Sequence, residues 1–463
     1  MSARPPEIDA RTAKWLPWLV AMSFFMQMLD GTILNMALPA IARSMHENPL
    51  KMQAVIIAYV LTQAVCIPAS GWLTDRVGPK KLMTCSIGLF GLGSLLCALS
   101  WNLYFMTLAR VIQGAGGALM VPVGRLVILR LYPKAELVRV LSIIPIPGLF
   151  GSLIGPALGG FLVQYASWRW IFLINIPVAL FGIWATYRLM PRFEVDKSQS
   201  FDFFGFVVFA LSLLLVSLAI EGLGRPDVGG RWAAVLAALG IGGQAFYWLS
   251  LSGRKVSLFK PSIFRIDTFK IGLAANLFAR LGSGATPFLV PLLLQVALGF
   301  SPLMAGLLMM PMALASLLAK FVARHLAQHF RYRSVLLVNS VLQGSLIGSL
   351  ALVGRDITPA LFCLQLAVLG AVNSVQFTFL NTYTLMDLPY EDSGSGNALM
   401  SMMMQLSQSL AVSMAAGLLS FFQGGVSSGL DVHLLLKAFQ HTFAVVGAGS
   451  VAAALLFCLA PKK

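Results

Sequence analysis

Along the 463 residues, apolar stretches alternate with short polar breaks from about Trp15 to about Ala460. A hydrocarbon core of roughly 30 Å takes about 20 consecutive apolar residues to cross as a helix, so each stretch reads as one crossing. Breaks bearing charge, Pro or Gly separate fourteen of them, beginning near Trp15, Met52, Leu82, Leu103, Val138, Trp170, Phe203, Trp232, Thr268, Pro302, Ser334, Pro359, Ala398 and Lys437. All connections are short, so no soluble domain is expected between spans. The longest polar breaks, Arg188 to Ser200 and Ser252 to Asp267, enclose a helical pair, Phe203 to Glu221 and Trp232 to Leu251, with six spans before it and six after. The pattern predicts an all-α integral membrane protein: a six-helix bundle over 1–190, two extra transmembrane helices with linkers over 191–265, and a second six-helix bundle over 266–463. Transporters built from repeated halves place their substrate between them near the midplane.

Composition agrees. The chain is 58% apolar and only 11% charged, with a mean hydropathy of +0.83, which excludes a water-soluble globule of this size. The first fourteen residues are polar and carry Arg4, Arg11 and Lys14, and no small-residue cleavage site follows, so the first helix is expected to be retained. Cys66, Cys85, Cys97, Cys363 and Cys458 are scattered in apolar segments without metal-ligand or paired spacing, and read as small hydrophobes. The net charge of +16 is spread over many connections instead of forming one patch, so nucleic acid is not an expected partner. With both termini cytoplasmic, 23 of the 33 Lys and Arg fall on inside segments and 7 outside, while Arg110, Arg125 and Arg280 lie within spans. This asymmetry is what the positive-inside rule demands. The inside connection Met386 to Asn397 departs from it, with Asp387, Glu391 and Asp392 and no basic residue.

Charged and glycine-rich motifs interrupt the apolar background at fixed places. Gly71-Trp72-Leu73-Thr74-Asp75-Arg76-Val77-Gly78-Pro79-Lys80-Lys81 stands at the cytoplasmic end of the second span. It resembles the G-x-L-x-D-R-x-G-R-K signature of the major facilitator superfamily, with Pro79 in place of a basic residue. Acid and bases held at such a junction can form charge contacts in one conformation and release them in another, or simply anchor a solvated loop. Arg110-Val111-Ile112-Gln113-Gly114-Ala115-Gly116 in the fourth span resembles the family's R-x-x-Q-G-x-G motif. Arg110 lies about two turns inside the membrane, where a charge needs a partner or water; the resemblance implies a part in proton transfer, with a structural ion pair as the alternative. In the fifth span, Gly151-Ser152-Leu153-Ile154-Gly155-Pro156-Ala157-Leu158-Gly159-Gly160 resembles the antiporter motif associated with the family's exporters. Its glycines leave a helix face without side chains, open to close approach by another helix, and Pro156 weakens the local ladder.

Leu29-Asp30-Gly31-Thr32-Ile33-Leu34-Asn35-Met36-Ala37-Leu38-Pro39 looks like the signature of the fourteen-spanner drug:proton antiporters. Asp30 is the one acid well inside a span, and an intramembrane carboxyl exposed alternately to each side can load and release a proton, so it is the expected coupling site. Ser167 to Val178 follows the fifth span as it does in that branch. Arg280-Leu281-Gly282-Ser283-Gly284 with Pro287 and Gln295, Asn381-Thr382 with Asp387-Leu388, and Ser395-Gly396-Asn397 narrow the likeness to a group of bacterial efflux proteins. The resemblance covers nearly the whole chain. It implies the major facilitator fold and a proton-driven exporter of drugs or toxic compounds in the bacterial inner membrane. It further implies no enzyme activity and no cofactor, with a lipid bilayer, protons and a small molecule as partners and a monomer as the default state.

The cargo stays open between two readings. Arg280 sits about twelve residues into the ninth span, in pseudo-symmetric correspondence with the first. If it and Asp30 both face a central cavity, an anionic metabolite or siderophore, such as a citrate-like acid, can dock on Arg280. If they neutralise each other, the cavity suits apolar drugs. Gln27, Asn276, Gln295, Asn373 and Gln376 are further candidate substrate contacts, among intramembrane amides that elsewhere only join helices. The run Met400, Met402, Met403 and Met404 faces several directions and reads as adaptable packing, not metal binding. A non-transporting membrane sensor is the reading from another class, disfavoured by the motifs and the lack of a signalling domain.

Overall fold

A computed structural model describes residues 9–191, 193, 200–223, 230–250, 258–259, 261–354, 356, 358–389, 392–423 and 432–458. Arg4, Glu391 and much of the two long polar breaks lie outside the described residues. Within them are fourteen helices long and apolar enough to cross a bilayer: α1 Thr12–Ser44, α2 Pro49–Val77, α3 Pro79–Ala98, α4 Leu103–Leu131, α5 Arg139–Tyr165, α6 Trp170–Leu189, α7 Phe203–Ile220, α8 Arg231–Ser250, α9 Asp267–Ala297, α10 Pro302–His329, α11 Tyr332–Leu352, α12 Pro359–Leu385, α13 Gly394–Phe422 and α14 Val432–Cys458. Each begins within a few residues of its predicted start. The described residues contain no strand; in hydrocarbon a helix satisfies its own backbone, whereas an open sheet edge cannot.

Local chemistry sets several helix ends. The Asn102 side chain accepts from the Phe105 amide at 2.8 Å and caps α4, and Ser301 does the same for the Met304 amide at the start of α10. Between α2 and α3 the backbone of Gly78 takes φ +90° and ψ 139°, a conformation closed to residues with a Cβ, and Pro79 then opens α3 at a position that needs no amide hydrogen.

Compactness divides the chain into two units, one of Met1–Asn48 with Ala54–Phe201 and one of Pro49–Gln53 with Asp202–Lys463. Helices in lipid gain nothing from hiding apolar surface from one another, so close approach at small residues decides the packing. In the first unit α5 lies on α1 through Gly148, Gly151, Gly155 and Gly159: a Cβ on Gly159 would stand 2.7 Å from the Ile33 carbonyl oxygen, and one on Gly155 would collide with Thr32 Oγ1. The motif glycines therefore build the α1–α5 contact. In the second unit a Cβ on Gly370 of α12 would overlap the Met312 carbonyl of α10, and Ser316 Oγ donates to the Gly370 carbonyl at 2.8 Å. The α7–α8 pair packs at Gly240 and Gly243 against Ser212, and α7 meets α13 where Ser217 and Ser409 lie 3.5 Å apart. Only 17% of the most apolar stretch of α8 is buried, against 67% for α9, so α8 is a lipid-facing helix.

Candidate functional site

The deepest charges in the first unit form one cluster. Asp30 of α1 and Arg110 of α4 are each 1% exposed, and Arg110 Nη1 lies 2.6 Å from Asp30 Oδ2. Arg110 also donates to Gln113 Oε1 at 2.6 Å and, through Nε, to the Val55 carbonyl of α2 at 3.3 Å. Its guanidinium carbon stands 4.0 Å from the centre of the Tyr59 ring. Gln113 Nε2 donates to Asp30 Oδ1 at 2.8 Å and to Ser94 Oγ of α3 at 2.7 Å. Asn175 Nδ2 of α6 reaches the same two oxygens at 3.3 Å each. Five helices thus converge on one carboxylate, which accepts from a guanidinium and two amide nitrogens. Such a pair is tolerated in a bilayer because the charges cancel and both carboxylate oxygens accept hydrogen bonds.

Glycines make the convergence possible. A Cβ on Gly114 would stand 2.7 Å from the Tyr59 carbonyl oxygen, and one on Gly93 would stand 2.5 Å from the Gln113 backbone nitrogen. The Arg110 motif is therefore a close-packing device that brings its own arginine and glutamine into reach. Of the residues that complete the cluster, Asn175 stands in a sequence motif, whereas nothing in the sequence separates Ser94 or Tyr59 from any other intramembrane hydroxyl.

At the junction of α2 and α3, Asp75 Oδ1 pairs with Arg130 Nη2 at 2.5 Å, tying α2 to the end of α4. The Arg76 guanidinium lies over the Trp72 ring at 5.4 Å, Trp72 stacks on Phe201 at 4.6 Å, and Lys80 Nζ lies 5.1 Å from the Tyr187 ring centre of α6. Gly71 has open space around its α carbon; Gly78 supplies the turn.

In the second unit Arg280 of α9 donates through Nε to Asn276 Oδ1 at 2.9 Å and through Nη2 to Asn381 Oδ1 of α12 at 3.2 Å, and its guanidinium stands 4.5 Å from the Phe377 ring centre. Asn276 is itself fully buried and donates to the Gly272 carbonyl and to Thr384 Oγ1. A polar seam joins α11 to α12: Asn339 donates to Gln376 Oε1 at 2.8 Å, Gln376 to Ser340 Oγ at 2.8 Å, and Gln343 to Asn373 Oδ1 at 3.2 Å. Arg280, Asn276, Asn373 and Gln376 therefore come together. Gln27 does not join them: it lies in the first unit and donates to the Gly117 carbonyl at 3.3 Å. Gln295 stands fifteen residues further along α9, about 22 Å at 1.5 Å per residue, in a π-helical turn over Leu293–Ala297. As for mutual neutralisation of Asp30 and Arg280, the ion-pair partner of Asp30 is Arg110.

The model of the Major Facilitator Superfamily matches residues 20–412. The chain belongs to this superfamily. It is 43% identical over 453 residues to a Salmonella heidelberg protein named "Putative multidrug resistance protein MdtD", covering 97% of this chain and 95% of the relative. The protein of the same name from Pectobacterium atrosepticum is 46% identical over 416 residues, covering 89% of this chain and 88% of the relative. Among solved structures, the D-xylose-proton symporter superposes with a TM-score of 0.68 at 15% identity, covering 97% of this chain and 98% of that one. A bacterial homologue of the human lysosomal transporter Spinster gives 0.68 at 14% identity, covering 97% of each chain. This major facilitator protein is thus a multi-pass membrane transport protein and not an enzyme, and the solved structures establish its fold.

Proposed function

We propose that the protein is a proton-driven antiporter that exports drug-like small molecules across the bacterial inner membrane by alternating access, working as a monomer with both termini cytoplasmic. The observation that carries this reading is the buried Asp30–Arg110 pair, held by Gln113 and Asn175. A carboxylate whose charge is balanced by a guanidinium on another helix can exchange that partner for a proton when the helices shift. Taking the proton from the periplasmic side and giving it up to the cytoplasm couples the gradient to the shift. Each proton crossing 100 mV supplies roughly 2.3 kcal/mol. The Asp75–Arg130 pair at the α2–α3 junction acts as the latch of one end state, and the glycine face Gly151, Gly155, Gly159 and Gly160, with Pro156, as the joint between α5 and α1. The moving bodies are the bundles over 1–190 and 266–463, with 191–265 as an accessory pair. The names of the two relatives, both multidrug resistance proteins, support drugs as cargo.

One observation favours a second cargo class. Among the described residues no carboxylate lies within ion-pair distance of Arg280, which leaves an intramembrane positive charge for an organic anion to meet.

The test uses purified protein in liposomes with an imposed pH gradient and an internal pH-sensitive dye. Proton flux triggered by a lipophilic cation or neutral drug, and absent in Asp30→Asn, supports drug antiport. Undiminished flux in that variant, with the protein shown to be folded, removes Asp30 from the coupling role.

A further inference from the structure

A recess in the second unit is lined by Arg280 and Ser283 from α9 and by Asn373, Gln376, Phe377 and Leu380 from α12. Its polar atoms are unbalanced in kind. Arg280 has Nε and Nη2 engaged by the oxygens of Asn276 and Asn381, and Nη1 has no partner among the described residues. Asn373 accepts from Gln343 through Oδ1, which fixes the orientation of its amide and leaves Nδ2 as the unengaged end. Gln376 is bonded at both ends, its oxygen to Asn339 and its nitrogen to Ser340. What remains for a ligand is an N–H of the charged guanidinium, an amide N–H, and the Ser283 hydroxyl, whose proton goes to the Arg280 carbonyl at 3.4 Å. A charged donor beside a neutral one in the same recess matches an oxyanion, of which a carboxylate is the commonest organic kind.

The rest of the recess limits how many charges the ligand carries. Phe377, 43% exposed with its ring against the guanidinium, is the apolar wall that a ligand meets, since Leu380 and Ala279 behind it are 1% and 2% exposed. One guanidinium balances one negative charge. A second or third carboxylate on the same ligand would meet that wall with no counter-ion, an expensive arrangement in a bilayer. We propose that this recess, about 10 Å³ in volume, seats the carboxylate end of amphipathic monocarboxylates on Arg280 Nη1 and Asn373 Nδ2, while their apolar or aromatic body lies outside it on the exposed face of Phe377. The inference rests on the reading of the chain as an exporter and names one class of its cargo.

Calorimetric titration of the purified full-length protein in detergent with naphthoate, naphthamide, naphthylmethylamine and citrate tests it without transport. Naphthoate is expected to bind at least about tenfold more tightly than the other three, the usual scale for a charge-assisted contact. Arg280→Gln and Asn373→Asp should each weaken naphthoate at least about tenfold. The second keeps the acceptor for Gln343 and gives Arg280 a resident acid, so it tests the recess in a charge-balanced fold. Equal binding of naphthamide, preferred binding of citrate, or unaltered affinity in both variants overturns the proposal. Absence of naphthoate binding while a cation still drives proton flux in liposomes also overturns it and leaves antiport standing; naphthoate binding without proton flux from any probe does the reverse.

Discussion

A substitution at Asp30 acts on Arg110 as well, because the two side chains are paired. Asp30→Asn leaves the Arg110 guanidinium, 1% exposed, without its counter-charge. Breaking a buried pair from one side costs about 3–5 kcal/mol, so this variant is expected to melt at a lower temperature as well as to lose proton flux. The double variant Asp30→Asn with Arg110→Gln removes both charges. It should recover most of the lost thermal stability in detergent while proton flux in liposomes stays absent; a double variant that still couples protons would place the coupling group elsewhere. Both charged residues are legible in the sequence because an ionisable group in a span stands out against apolar neighbours. Their pairing is not legible there, since the contact depends on how α1 crosses α4. Ser94, which accepts from both Gln113 and Asn175, and Phe377, which faces Arg280, look in sequence like any small or aromatic residue of a membrane helix.

For the elements, the decisive quantity is the distance between backbones. Gly159→Ala places a methyl group 2.7 Å from a carbonyl oxygen of α1, which cannot rotate away as a side chain would. The variant is expected to lose about 1–3 kcal/mol and to export poorly. Gly242→Ala on α8 meets nothing within 4 Å and should melt at or above the temperature of the parent, because alanine is the better helix former. Melting curves and export assays on the two variants check both statements. If Gly159→Ala is as stable and active as Gly242→Ala, the glycine face is not a packing joint. The spacing of those glycines made a close approach legible; that the partner is α1, the helix carrying Asp30, emerged only from the fold.

Across the whole molecule, the fourteen spans were legible because hydrocarbon imposes a length and a polarity on every crossing segment, whatever its neighbours. Contacts between spans obey no such rule, and most of the candidate sites lie in them. The Asp75–Arg130 pair illustrates the difference between holding a fold and switching one. Arg130 is 38% exposed, and pairs of that kind contribute only about 0–1 kcal/mol to stability. Asp75→Asn should therefore leave the melting temperature within a few degrees of the parent while slowing export in vesicles, whereas equal losses of both would mark the pair as structural. The Asp30 cluster has a consequence of another kind, in how the protein is made. Arg110 follows Asp30 by 80 residues and Asn175 follows it by 145. At about 5–20 residues per second of synthesis, α1 waits roughly 4–16 s for its arginine and longer for its asparagine. During that interval the first helix carries an acid whose partners have not yet been translated, and it needs shelter at the insertion machinery or in water. A chain cut short after α3 would never receive them, which gives cellular quality control a chemical mark by which an unfinished transporter differs from a finished one.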